Sequence, residues 1–187
     1  MHAMEESKMS KKVLIVASSP RRNGNSNRLA ESFAKGAAQA GHQVETVYLC
    51  EKEIGFCRGC LSCQTTQRCV IQDDADTIAR QMGAADVLVF ATPIYYYGMS
   101  GQMKTMLDRA NPLFPSDYAF RDVYLLTAAA EDDPETPEGA VHGLQGWISC
   151  FEKACLAGSV FAGGVTDAGD IEGHPALQTA FEMGSRI

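Results

Sequence analysis

Short apolar runs alternate with amphipathic stretches along almost the whole chain. Residues 12–18, KVLIVAS, are continuously apolar and β-branched, the pattern of a strand buried on both faces. Asn25 and Ser26 then stand where a helix cap belongs, and Leu29, Phe33 and Ala37 recur at fourfold spacing until Gly41. QVETVYL (43–49) alternates as a second strand; Asp73 or Asp74 caps a helix that ends near Gly83. ADVLVFAT (85–92) is a third strand, and Ser100 opens a helix with Met103, Met106, Leu107 and Ala110 on one face. DVYLLTAA (122–129) is the fourth strand. A long helix is expected over 139–156, with Val141, Leu144, Ile148, Phe151 and Cys155 along one side. GSVFAGGV (158–165) is a glycine-weakened fifth strand, and a last helix spans 175–185 with Leu177, Ala180, Phe181 and Gly184 facing in.

Strands that alternate with helices are joined by right-handed crossovers, so the pattern predicts a parallel sheet with helices on both faces. No repeat and no linker interrupts it. The expected organisation is a flexible N-terminal tail over 1–11 and one α/β domain over 12–187. A chain of 187 residues, 45% hydrophobic and 21% charged, fits one ordinary globular domain. The net charge of −7 argues against a nucleic-acid or anionic-membrane surface. Neither a signal-peptide core nor a membrane-spanning run is present, so cytoplasm is the expected location.

In a sheet of this type ligands sit beyond the carboxyl ends of the strands. SSPRRNGNS, residues 18–26, lies there, between the first strand and the first helix. Helix-start N–H groups, the hydroxyls of Ser19 and Ser26, and the guanidinium of Arg21 or Arg22 together suit a phosphate. The segment lacks both the GxGxxG glycines of a dinucleotide fold and the lysine of a nucleoside-triphosphate loop. Taken alone it also reads as a capped turn with surface arginines. TPIYYYGMSGQMKTMLDR, residues 92–109, follows the third strand. Pro93 fixes a bend, Gly98 permits a tight turn, and three consecutive tyrosines cannot all face one core. Such an aromatic-rimmed loop suits a flat conjugated ring or the surface of a second subunit.

Together these two stretches resemble the flavodoxin-fold NAD(P)H-dependent FMN reductase family, including its iron–sulfur flavoprotein branch. The resemblance runs from about residue 12 to the end, where GGVTDAGDIEGHPALQTAFEMGSRI is similar to the family's final segment. It implies a flavodoxin-like, five-stranded parallel sheet in the order 2-1-3-4-5. It also implies that Ser19, Arg21, Asn25, Ser26 and Asn27 hold the FMN phosphate. Pro93, Ile94, Tyr95, Tyr96 and Gly98 would border the ring, with Thr127, Ala128 and Ala129 closing the third side. Ser18 departs from the family's commoner glycine.

The expected activity is electron transfer from NAD(P)H, as cosubstrate, through FMN to free flavin, a quinone or a protein carrier. The flavin carries that chemistry, so no catalytic side chain is required. A homo-oligomer, dimer or tetramer, is expected. A carrier or sensing module that turns nothing over is the reading from a different class.

CRGCLSCQTTQRC places Cys57, Cys60, Cys63 and Cys69 in C-x2-C-x2-C-x5-C spacing. Four such thiolates in a reducing compartment fit an Fe4S4 cluster, and the spacing resembles the motif of the iron–sulfur flavoproteins. Structural zinc more often draws on two separated knuckles. A loop that merely packs or oxidises is the plainer alternative. Cys50, Cys150 and Cys155 read as buried small hydrophobes. His42, His142 and His174 read as caps or surface groups, and EDDPETPEG (131–139) as a solvated loop before a helix. Lys104, Asp108 and Arg109 read as helix-face ion pairs, and Trp147 as core or subunit contact.

Overall fold

The structure is a computed structural model that describes residues 9–187. Of the expected tail, residues 1–8 lie outside the described residues, while Ser10 and Lys11 are bonded to Gly41 and His42. The main strands are β1 (Lys12–Ala17), β2 (Gln43–Tyr48), β3 (Val87–Tyr95), β5 (Asp122–Ala128) and β6 (Cys155–Ala162). A two-residue strand, β4 (Gly98–Met99), folds back antiparallel on β3. The helices are α1 (Asn25–Gln39), α2 (Ser62–Thr66), α3 (Asp74–Ala84), α4 (Gly101–Arg109), α5 (Glu138–Ile148) and α6 (Pro175–Ser185).

Five strands pair in parallel in the order β2-β1-β3-β5-β6. With the short β4 set aside, this is the order the resemblance implied. The three central strands are buried on both faces, which is why they read as unbroken apolar runs. One face packs Leu14, Leu88, Phe90 and Leu125 against α3, α4 and α5. The other packs Val13, Ile15, Val89 and Leu126 against α1 and α6 through Phe33, Ala37 and Ala180. Burying each large side chain of this kind contributes about 1.5–3 kcal/mol. Helices α1 and α6 touch backbone to backbone. A Cβ at Gly36 would meet the Phe181 carbonyl, and one at Gly184 the Phe33 carbonyl.

Three expectations are corrected. The fifth helix stops at Ile148 instead of 156, because the chain turns there: the Ser149 hydroxyl returns to Gly146 O, and Phe151 N donates to Ile148 O. Cys155 accordingly opens the edge strand β6, three residues before the expected start. Cys50, Cys150 and Cys155 are all exposed, since they follow one edge strand, follow a helix end and begin the other edge strand. Helix α1 is also capped by Gly24, not by Asn25 or Ser26, which form its first turn.

The aromatic loop is a two-residue hairpin. Tyr95 pairs with Gly98, and the central residues Tyr96 and Tyr97 have φ of 49° and 62°. Turns of this kind favour Asn-Gly, because side chains such as tyrosine resist positive φ. Directly beneath it, a Cβ on Gly139 of α5 would collide with Tyr97 O. Glycine there lets the helix ride on the turn.

Candidate functional site

Beyond the carboxyl ends of β1, β3, β5 and β6 lies a cavity of about 360 Å³. Ser19, Arg21, Asn25 and Ser26 line one wall, Pro93, Ile94 and Tyr95 a second, and Ala128 and Ala129 a third. The three stretches singled out in the sequence thus meet at one place. The cavity falls within the size range of small-ligand and cofactor sites.

The first wall gathers groups that suit an anion. The chain leaves β1 through Ser18, whose N–H and hydroxyl both donate to Ala91 O, while Ser100 Oγ donates to Ser18 Oγ at 2.8 Å. The hydroxyl therefore ties the first loop to the start of α4. A Cβ at Gly24 would strike Ser19 Oγ and crowd Arg21 O, so a larger residue where the loop enters α1 would displace the Ser19 hydroxyl. No acid stands in the first turn of α1 to compete with an anion at its positive end. Ser26 is 1% exposed, and its Oγ has no hydrogen-bond partner; nor do Asn25 Oδ1 and Asn27 Oδ1. Buried polar groups without partners are uncommon in folded proteins, and a free hydroxyl beside free helix N–H groups fits a phosphate oxygen.

The two arginines separate clearly. Arg22 donates to Glu51 Oε1 at 2.7 Å and lies over the Tyr48 ring at 3.3 Å, away from the cavity. Arg21 lines the cavity and donates to Thr166 O at 2.9 Å.

Other expected site residues stand one step back. Asn27 donates to Arg21 O and Arg22 O and so shapes the loop from behind. Thr127 is buried, with its hydroxyl on Val160 O. Tyr96 sits fully exposed at the hairpin tip, and Gly98 lies in β4. Four lining residues escaped the sequence reading: Ala130, Val165, Thr166 and Asp167. The last three belong to the final segment that the resemblance covered, where a Gly-Gly pair and a Thr-Asp cluster were the available signal.

The four cysteines follow β2 on a loop clamped to the body by Arg109. This guanidinium is fully buried and bidentate on Asp73, at 2.6 and 2.7 Å, and also donates to Gly55 O and Ile71 O. Burial would raise the Asp73 pKa, but hydrogen bonds from Arg109, Gly55 and Ala75 and the Arg109 charge hold it below the ordinary carboxylate value. Cys63 is buried and accepts from Asn111 Nδ2 at 3.0 Å, whereas Cys57 and Cys60 are exposed and Cys69 is half-buried. Hydrogen bonds from the Ser62 side chain and backbone, above all, lower the Cys60 thiol pKa. Among the described residues no three His, Cys, Asp or Glu side chains converge as a metal site.

The sheet order, with a phosphate-type loop entering the first helix, defines a flavodoxin-like protein. A solved NAD(P)H:quinone oxidoreductase from Methanothermobacter marburgensis shares this fold. It has a TM-score of 0.75 at 18% identity, over 95% of this chain and 96% of that one. The profile of the family described as NADPH-dependent FMN reductase matches residues 11–166, and the chain belongs to that family of flavoprotein oxidoreductases. YwqN of Bacillus subtilis, named as an NAD(P)H-dependent FMN-containing oxidoreductase, is 31% identical over 92% of this chain and 96% of its own length. An Archaeoglobus fulgidus protein named iron–sulfur flavoprotein is 35% identical over 54% of this chain and 46% of its own. The chain spans about half the length of the first curated relatives it matches. No helix among the described residues is long and apolar enough to cross a membrane.

Proposed function

We propose that this chain is an FMN-dependent oxidoreductase that passes electrons from NAD(P)H to free flavin, a quinone or another acceptor, and that it works as a homo-oligomer. The observation that carries the reading is the orphaned Ser26 hydroxyl at the head of α1, beside Arg21 and opposite the Pro93–Tyr95 wall. When bound, FMN supplies hydride acceptance and onward electron transfer. Ser19, Arg21 and Ser26, which line the first wall, would hold its phosphate. Pro93, Ile94 and Tyr95 stand beside Ala128 and Ala129 along the part of the cavity that would take the ring. Proline, aliphatic and aromatic groups line that part, and no carboxylate, imidazole or amine does.

The reading is tested by anaerobic titration of FMN-loaded protein with NADH and NADPH. Bleaching of the flavin absorbance and its return with a quinone or free flavin are expected. Stable oxidised flavin under excess of both nucleotides would leave a carrier or sensor. Arg21→Ala should weaken FMN binding by about 1–3 kcal/mol, the range for a charge-assisted bond, and leave riboflavin affinity unchanged. Arg22→Ala, whose side chain points to Glu51 and Tyr48, should alter neither. The oligomer is proposed because Tyr96 and Tyr97 are 103% and 62% exposed beside a site that must shed water. A monomeric mass by light scattering of the flavin-loaded protein would overturn it.

The second reading is an iron–sulfur flavoprotein that takes electrons from a ferredoxin-like donor. The C-x2-C-x2-C-x5-C spacing favours it, as does the name of the Archaeoglobus relative. Cluster formation would require the 57–69 loop to draw its thiols together. Protein made and purified without oxygen should then carry about four irons per chain, lost in Cys60→Ala with FMN retained. Iron-free anaerobic protein with full NAD(P)H oxidation would exclude it.

A further inference from the structure

The phosphate wall is tied to a turn that lies 145 residues further along the chain. Arg21 Nη2 donates to Thr166 O at 2.9 Å, and Asn25 Nδ2 donates to Asp167 O at 3.0 Å. Those carbonyls belong to a turn that one side chain organises. Asp170 Oδ2 accepts the N–H of Thr166 at 2.9 Å and the N–H of Asp167 at 2.7 Å. The backbone closes the same turn, with Asp170 N on Asp167 O and Val165 N on Ala129 O. Gly169, at φ 100°, supplies the left-handed residue that lets the chain double back.

From this arrangement we infer that Asp170 is a positioning residue for the phosphate end of the flavin site. By fixing Thr166 and Asp167, it holds their carbonyls where Arg21 and Asn25 are aimed. This deepens the proposed function and rests on it. Asp170 lies beyond residues 11–166, which the family profile matches.

A flexible guanidinium binds an anion best when its rotamers are already restricted, because less side-chain freedom is lost on binding. Thr166 O orders Arg21 through one donor and leaves the rest of the guanidinium fork to face the cavity. Asn25 is oriented likewise, with Nδ2 committed to Asp167 O. The charges agree with this arrangement. Hydrogen bonds from Asp167 N–H, then Thr166 N–H, hold the Asp170 carboxyl below its ordinary pKa, and the Arg21 charge acts in the same direction. The carboxylate is thus a stable anchor at neutral pH. It does not line the wall itself, and acts on the cavity through the two residues it fixes and through its charge near Arg21.

The experiment measures FMN and riboflavin dissociation constants for wild type, Asp170→Ala and Asp170→Asn by quenching of flavin fluorescence. Wild type should bind FMN more tightly than riboflavin. Asp170→Ala should weaken FMN roughly fivefold to tenfold, the scale of one lost hydrogen bond, with riboflavin unchanged. Asp170→Asn keeps an acceptor oxygen for the two N–H groups and should recover most of the FMN affinity. A general structural defect would weaken both flavins together and would not be rescued by asparagine, and either result overturns the assignment. An unaltered FMN-to-riboflavin ratio in Asp170→Ala overturns it as well. Equal affinity for the two flavins in wild type overturns the phosphate site itself, which separates that failure from a failure of the turn alone.

Discussion

Arg109→Met is expected to destabilise the fold by about 3–5 kcal/mol, the usual cost of removing one partner from a buried ion pair. The Arg109 side chain is 0% exposed and that of Asp73 14%, so the orphaned carboxylate could reach little water. The same change frees Gly55 O and Ile71 O, releasing both ends of the cysteine loop. Urea unfolding at neutral pH checks the magnitude, and limited proteolysis between residues 55 and 73 checks the release.

The pH dependence has a definite sign. The folded pKa of Asp73 lies below its unfolded value, so the pair contributes fully above about pH 4, the ordinary carboxylate pKa. Its contribution is lost as pH falls from there through the lower, folded value. The gap between wild type and Arg109→Met should therefore shrink on acidification. A gap that stays constant down to strongly acid pH would show that packing of the side chain, not charge, accounts for the loss.

Ser26→Ala should move stability and binding in opposite directions. In the flavin-free protein the Ser26 hydroxyl is buried without a partner, so removing it should be neutral or stabilise by up to about 1 kcal/mol. If Ser26 holds the FMN phosphate as proposed, the same change removes a hydrogen bond to a charged group and should cost about 1.5–3 kcal/mol. That is more than a tenfold loss of affinity. A melting curve without flavin and a fluorescence titration with FMN read the two signs separately. If both fall together, the hydroxyl has a structural partner and not a ligand.

How much of this was legible in the chain follows from the range of each interaction. The central strands were readable because burial on both faces leaves an unbroken apolar run, and the edges were less so. Cys155 read as helical and buried because its spacing from Phe151 fits a helix, while β6 as an edge strand carries no such run. Local charge pairs were visible: Lys104 and Asp108, four apart, do pair at 2.7 Å. Arg109 follows them on the same helix, yet its partner Asp73 lies 36 residues away, beyond the reach of any helical spacing rule. Of the two cap candidates, Asp73 and Asp74, it is Asp73 that caps the helix, with Oδ1 accepting from Ala75 N, and it is a counter-ion as well. The cavity walls at residues 19–26 and 93–95 stand out in the sequence by their residue types. The 166–167 wall does not, because it offers backbone carbonyls, which no side-chain pattern announces.

The contact between Gly139 and the tyrosine turn gives the molecule its own optical gauge. The chain has a single tryptophan, Trp147, on the same helix as Gly139. Its indole meets Phe90 of β3 edge-on at 5.7 Å and stacks near Phe120 at 5.9 Å. Because α5 rests on Tyr97 O with no side chain between, a shift of the turn is expected to move the helix and, with it, the surroundings of the indole. A change of intrinsic emission on addition of FMN is then the expected readout of the ring-side wall, with no added label.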